Sequence, residues 1–288
     1  MSNSMKSQPQ LIGIIGHRIA HTLSPAIHTA AFKALDLPFL YGVFDVAPEF
    51  LAPLIGSMRR SGYAGANVTI PHKQAVIPLL DDVHDDAATL GAVNVIVNRN
   101  GKLIGYNTDM LAIKHVLEPS GEKLRNSSVV ILGAGGGARA AVYAVSKFFS
   151  PRSVLVYNRS TDRAEKMTRD FRKIFPKIAY ERIPDPERLT TALAESVLIM
   201  NATSVGMKPN VDALPLPGTI TFSNQQIIFD IIYNPVETAL LRLARVHGVQ
   251  TINGVEMFLR QAAYAFELWT GKIFPMEVAR EVFLRALT

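Results

Sequence analysis

The stretch Val129-Val-Ile-Leu-Gly133-Ala134-Gly135-Gly136-Gly137-Ala138 sets the narrowest limits on how this chain folds. Its four apolar residues, with no polar alternation, read as a strand buried on both faces. A glycine-dense turn follows at once, and Ala140-Ala-Val-Tyr-Ala-Val-Ser146 then continues as a helix. Strand, tight turn and helix together make the front of a dinucleotide-binding βαβ unit. Gly133 permits the turn. Gly135 and Gly136 let backbone N–H groups approach a pyrophosphate, and Ala138, last in the GxGxxG-type pattern, still allows close helix packing. The helix N-terminus turns its positive dipole end toward that charge. The turn lies near the middle of 288 residues, so another module precedes it.

That length suits one large or two ordinary domains. Hydrophobic residues make up 48% and charged residues 19%, enough apolar mass for a sizeable core and too much for global disorder. The net charge of +6 is not gathered into a basic tract with interleaved aromatics. It therefore favours an anionic small ligand over nucleic acid. With no cysteine, disulfides and thiolate metal sites are excluded. The polar start, Met1 to Gln10, reads as frayed and lacks a signal-peptide core. No apolar run reaches membrane-span length, so a cytoplasmic protein without membrane partners is expected.

In the first module, Leu11–Ile15 reads as a buried strand. Ser24 before Pro25 reads as an N-cap opening a helix over 26–35. A strand is expected over 39–46 and a helix over 48–61. In Ala66-Asn67-Val-Thr69-Ile-Pro-His-Lys73, strand periodicity places Asn67 and Thr69 on one face. Pro71 stops the strand, and a helix is expected to start near Lys73. A lysine set against a helix dipole suits proton transfer. Asp81-Asp-Val-His-Asp-Asp86 reads as acids opening a helix, and no metal is expected. Asn94 begins a further strand, Asn98–Gly101 is a hairpin-type turn, and Asp109 either starts a helix or faces Lys73 as its charge partner.

Gly121–Asn126 reads as a linker. Beyond the glycine turn, Ser153–Tyr157 is the second strand of the unit. Its end offers Asn158 and Arg159, with Arg163 one helical turn on, where an acid would bind the ribose 2′-hydroxyl of NAD. The arginines suit a 2′-phosphate instead, so NADP is favoured, with NAD as the alternative. From Val255 to Leu287 the chain reads as helical, interrupted near Gly271–Pro275.

Read together, Thr22-Leu-Ser-Pro25, Gly65-Ala-Asn-Val-Thr-Ile-Pro-His-Lys73, Gly91-Ala-Val-Asn94, Gly105-Tyr-Asn-Thr-Asp109, Gly133-Ala-Gly-Gly136, Asn201-Ala-Thr-Ser-Val-Gly-Met207, Tyr233-Asn-Pro235 and Gln261-Ala-Ala resemble the shikimate dehydrogenase family, in particular its shikimate/quinate dehydrogenase branch. The resemblance covers nearly the whole chain. It implies an α/β enzyme of two domains: a substrate-binding catalytic domain over 1–112 and 255–288, and an NADP-binding Rossmann domain over 113–254. It implies reversible hydride transfer between NADP(H) and shikimate/3-dehydroshikimate, or quinate/3-dehydroquinate. Lys73 and Asp109 would be the catalytic pair. Thr22, Ser24, Asn67, Thr69, Asn94, Tyr233 and Gln261 would hold the hydroxylated ring carboxylate. Gly133 to Gly137, Asn158, Arg159, Arg163, Thr203, Ser204, Ile231, Gly254 and Met257 would hold the cofactor, the last two near the nicotinamide. A monomer or homodimer is expected.

The chain departs from the family's pattern at Thr22, where serine is usual, at Gly16-His-Arg-Ile19, at Met110 and at Glu256. These changes leave the ring acid open. The alternatives are a paralogue acting on another hydroxylated ring acid and a catalytically silent NADPH-binding regulatory module.

Overall fold

The computed structural model describes residues 8–60, 62–217 and 220–287. Most of the stretch expected to fray, residues 1–7, lies outside them. The chain forms two compact units, one from the chain up to Thr108 together with Gln261 onward, the other from Asp109 to Arg260.

The first unit holds β1 (Gln10–Gly16), β2 (Phe39–Asp45), β3 (Tyr63–Val68), β4 (Asp82–Val83), β5 (Val95–Arg99) and β6 (Lys102–Tyr106). They form one mixed sheet in the order β2-β1-β3-β5-β6-β4. β1 runs parallel to β2 and β3, while β5 runs antiparallel to β3 and β6. The hairpin turn between β5 and β6 is Asn100-Gly101, at φ +54° and +90°. Two left-handed residues match the right-handed twist of the strands they join. Ile15, Ala66, Val68, Ile96 and Leu103 pack against Leu51, Ile55 and Met58 in one core.

Helices Val255–Thr270 and Met276–Arg285 follow at the C-terminal end. From Gln261 onward this segment belongs to the first unit. Trp269 anchors it there: the indole Nε1 donates to the Ile96 carbonyl at 2.9 Å. Gly65 makes the approach feasible. A Cβ on it would lie 2.5 Å from that nitrogen and 2.2 Å from the Ile96 oxygen.

The second unit holds β7 (Ser128–Leu132), β8 (Ser153–Tyr157), β9 (Ala179–Arg182), β10 (Leu198–Asn201), β11 (Ile227–Asp230) and β12 (Gln250–Ile252). All pairings are parallel, in the order β12-β11-β10-β7-β8-β9. This is the six-stranded doubly wound order, whose direction reverses between β7 and β10. Every residue of β7 is buried, as a strand covered on both faces must be.

Four local expectations are corrected. No helix starts near Lys73: residues 71–76 are successive turns running into a short 3-10 helix, Ile77–Leu79. Pro78 lacks an N–H and cannot carry an α-helical ladder through this segment, so the dipole argument for Lys73 falls away. Ser24 is no cap. The helix spans Ser24–Ala34, Leu23 occupies the cap position, and no side chain caps it. The segment 121–126 is not an open linker, because Gly121–Leu124 is a helical turn with Leu124 fully buried. The helix expected over 48–61 is a 3-10 turn, Pro48–Phe50, followed by Leu51–Ser57, and Ser61 lies outside the described residues.

Replacing Trp269 by Phe keeps the ring but strands the buried Ile96 carbonyl. Urea unfolding should show a loss of about 1–3 kcal/mol; unchanged stability would remove Trp269 as the anchor.

Candidate active site

In the second unit the carboxyl ends of three strands meet at Gly133. Its φ is +113° and its N–H donates to the Tyr157 carbonyl at 2.7 Å. A Cβ there would sit 3.0 Å from the Ala202 oxygen and 3.1 Å from the Thr203 methyl. Ala134 and Ala138 are buried beside it. Gly135 precedes the helix Gly136–Ala144, which no side chain caps. A Cβ on Gly135 would meet nothing within 4 Å, and Gly135 is exposed at the start of the helix. A Cβ on Gly137 would press on the Ile231 side chain at 3.2 Å. Buried Arg139 ties this helix to the next, pairing with Asp170 at 3.1 Å over the Phe171 ring.

β8 ends at Asn158, whose Nδ2 donates to the Ser160 carbonyl at 2.8 Å. Arg159 and Arg163 are exposed, and neither has a carboxylate within ion-pair distance among the described residues. Asp162 sits in the first turn of the helix Thr161–Ile174. Thr203 is held by Asn201, whose Oδ1 accepts from its N–H at 3.1 Å and its hydroxyl at 2.7 Å. Ser204 is exposed on the same loop. Gly254 lies against Ile231, where a Cβ would fall 2.2 Å from the Ile231 oxygen. Its N–H donates to the Ile232 carbonyl at 3.0 Å. Met257 is buried, and Tyr233 stacks on Phe258 at 4.1 Å between ring centres. Ile231, Gly254, Met257 and Tyr233 all lie in this unit, Gly254 packed directly on Ile231.

In the first unit a chain of polar contacts joins several expected residues. Tyr41 Oη donates to Asn67 Oδ1 at 2.6 Å, and Asn67 Nδ2 to the Asn94 carbonyl at 3.5 Å. Asn94 Oδ1 accepts from the Thr108 N–H at 2.7 Å, and its Nδ2 donates to Thr108 Oγ1 at 2.9 Å. The Thr108 hydroxyl donates onward to the Gln261 carbonyl at 3.0 Å. Thr22 and Ser24 have their hydroxyls 3.3 Å apart. Thr69 packs against Gly16, where a Cβ would come within 2.6 Å of its methyl. Lys73 is half-buried. Its carbonyl accepts from the Val93 N–H at 2.8 Å, and the adjacent buried His72 donates from Nε2 to the Val46 carbonyl at 2.8 Å. Asp109, buried, opens the helix Asp109–Leu117, where the dipole favours a carboxylate. Lys73 belongs to the first unit, Asp109 and Tyr233 to the second.

The acids at 81–86 are tied into structure. Asp81 pairs with Arg59 and accepts from the Leu103 N–H at 2.7 Å. Asp82 pairs with Lys102 at 3.1 Å, and Asp85 and Asp86 open a helix. Among the described residues no group of three or more His, Asp or Glu could hold a metal ion, and no helix is long and apolar enough to cross a membrane.

Residues 14–96 match the family model of the shikimate dehydrogenase substrate binding domain, and residues 254–282 that of the shikimate 5'-dehydrogenase C-terminal domain. The shikimate dehydrogenase (NADP(+)) of Symbiobacterium thermophilum is 42% identical over 280 residues, covering 96% of this chain and 95% of that protein. This chain belongs to the shikimate dehydrogenase family. The crystal structure of shikimate 5-dehydrogenase from Thermus thermophilus in complex with NADP(H) and shikimate matches with a TM-score of 0.83 at 33% identity, over 96% of this chain and 100% of that one. Quinate dehydrogenase from Corynebacterium glutamicum in complex with NAD matches with a TM-score of 0.84 at 31% identity, over 96% and 99%.

Within this shikimate dehydrogenase fold, sequence reasoning about the site missed Asp230, Thr108 and Tyr41. Asp230 ends β11 and is fully buried. Its Oδ1 accepts from Asn201 Nδ2 at 3.0 Å and the Ile232 N–H at 3.1 Å, and its Oδ2 from the Thr238 hydroxyl at 2.7 Å. One carboxylate thus fixes both Asn201, which holds Thr203, and Thr238, which caps the helix Ala239–Val246. The available signal was a polar residue closing each of two apolar strands, Asn201 after Met200 and Asp230 after Phe229.

Burial pushes the Asp230 carboxyl up to about 6, against the pull of its three hydrogen bonds. Its folded pKa lies above the unfolded value, so between roughly pH 4 and 6 the folded chain binds more protons than the unfolded one. This group's contribution to stability is greatest at the acid end of that window and falls as pH rises through it. Asp230→Asn keeps an acceptor for Asn201 and Ile232 and supplies a donor for Thr238. It should fold and lose that component of the slope of unfolding free energy with pH; an unchanged slope would refute the assignment.

Proposed function

We propose that this chain transfers hydride reversibly between NADP(H) and a hydroxylated ring carboxylate, with shikimate/3-dehydroshikimate as the leading pair and quinate/3-dehydroquinate as the second. The observation carrying this reading is the linked cluster Asn67–Asn94–Thr108–Gln261, side-chain amides and a hydroxyl beside a half-buried lysine. A polyhydroxylated acid needs several fixed donors and acceptors of that kind. The second pair has support in the quinate dehydrogenase likeness.

In this reading the first unit receives the ring acid through Thr22, Ser24, Asn67, Thr69, Asn94 and Gln261, and Tyr233 completes the set from the second. The second unit holds the dinucleotide. The open space above Gly135, the uncapped helix and the unpaired Arg159 and Arg163 fit a pyrophosphate and a 2′-phosphate. Asn158, Thr203, Ser204, Ile231, Gly254 and Met257 complete that half. The nicotinamide, when bound, supplies or accepts the hydride. In the oxidative direction the Lys73 amine takes the hydroxyl proton as the carbonyl forms. The Asp109 carboxylate stabilises the resulting ammonium. In the reductive direction Lys73 returns that proton to the new alkoxide oxygen.

Initial rates with shikimate and quinate, each against NADP and NAD, test the reading. Turnover with shikimate and NADP is expected, and silence in all four combinations would overturn it. Lys73→Ala should cut kcat by about 100-fold or more while leaving NADP binding nearly intact; wild-type turnover would sink the proton role. Arg159→Ala should weaken NADP by about tenfold or more through the lost charged contact and leave NAD nearly unchanged. Equal loss for both would reject the 2′-phosphate assignment.

A further inference from the structure

Asn67, 5% exposed, is reached from two sides. Tyr41 lies two strands away, with β1 between them. The parallel registers pair Tyr41 with Ile12 and Asn67 with Ile14, so all four side chains share one sheet face. The phenol crosses above β1 to meet the amide at 2.6 Å. Two strand spacings come to about 10 Å, a gap that a long, rigid side chain closes and a serine would not.

The two contacts together select one of the two amide orientations, because the phenol can donate or accept while the carbonyl only accepts. With Oδ1 on the phenol, Nδ2 faces the Asn94 carbonyl. The reversed amide would set oxygen against that carbonyl, two acceptors in contact. In the selected orientation one hydrogen of Nδ2 goes to Asn94 and the other is left over. Asn67 is thereby set as a donor.

The tyrosine ring is itself held. His28 stacks on it at 4.7 Å between ring centres and 8° between planes, and Trp269 meets its edge at 6.5 Å. His28 is fully buried, and its ring nitrogens find no hydrogen-bond partner among the described residues. Burial pushes its pKa down to about 3, so it is a neutral aromatic plate under Tyr41.

We propose that Tyr41 is a positioning residue for substrate recognition: its hydroxyl locks Asn67 as a hydrogen-bond donor to an oxygen of the ring acid. The inference rests on the ring-acid reading of this unit. Tyr41→Phe keeps the stack on His28 and deletes only the hydroxyl. The experiment is a cycle of wild type, Tyr41→Phe, Asn67→Ala and the double variant, measuring kcat and KM for shikimate and KM for NADP, with thermal unfolding alongside.

Tyr41→Phe should raise KM for shikimate about three- to tenfold, the worth of one hydrogen bond, with kcat and the KM for NADP within about twofold. The double variant should be no worse than Asn67→Ala alone. Three results would overturn the inference: a wild-type KM in Tyr41→Phe, effects that multiply in the double variant, or losses that track thermal stability and fall equally on kcat and both KM values. An inactive wild type would instead strike the ring-acid reading and the inference with it, whereas an active wild type with an indifferent Tyr41→Phe strikes the inference alone.

Discussion

Three parallel strands of the second unit end at one crowded point, and the backbone of Gly133 occupies it. The residue must turn at φ +113° while donating to β8 through Tyr157 and lying against the β10 end at Ala202 and Thr203. A side chain there would press on the Ala202 oxygen and the Thr203 methyl, on a backbone strained by its positive φ. Two residues on, a Cβ at Gly135 would meet nothing within 4 Å. A helix N-terminus carries N–H groups that lack partners within the helix. Here no side chain caps them, an arrangement suited to an anion.

In the proposed reading the two units meet different recognition problems with different materials. Phosphate oxygens are strong acceptors, and backbone N–H groups with two arginines suffice for them. Ring hydroxyls can donate or accept, so a protein that must tell them apart needs amides whose orientation is fixed. Asn94 commits both ends of its amide to Thr108, and Asn67 is held between Tyr41 and a carbonyl. Asp230 has the matching role in the other unit, bracing Asn201 and through it Thr203. In both units a buried polar residue that is not expected to touch the ligand decides how one that is expected to do so will point.

Where the sequence was legible, a strong local rule and the tertiary structure agreed. The apolar run before Gly133 could be only a covered strand, and Asn100-Gly101 could hardly avoid a hairpin turn. Where it misled, a local rule was overruled nearby. Ser24-Pro25 has the composition of a cap, but the helix begins at the serine itself, and its hydroxyl lies beside that of Thr22. Lys73 looked like a helix start until Pro78 broke the segment into turns. Gly121–Asn126 looked like a linker because its composition is polar, and most of it is exposed, yet it makes a helical turn pinned by one fully buried side chain, Leu124. Tyr41, Thr108 and Asp230 could not be found by spacing, because their partners lie on other strands or across a turn.

In the proposed reading, the departures from the family pattern mark where specificity for a ring acid would be set. The loop His17-Arg18-Ile19 is fastened by Asp45, which accepts from the Arg18 N–H at 2.8 Å and the Ile19 N–H at 3.3 Å. Those N–H groups, chiefly that of Arg18, hold the Asp45 carboxyl below the usual range. Arg18 stands at φ +60°, a conformation costing a residue with a side chain about 1–2 kcal/mol. The two bonds to Asp45 offset that strain. The same loop leads directly into Thr22, whose N–H donates to the Ile19 carbonyl at 3.0 Å. The clasp therefore fixes where the extra methyl of Thr22 stands relative to Ser24. In that reading, a choice between ring acids of similar shape would be made here, by the backbone path of one loop, while Lys73 and the amide cluster stay as they are.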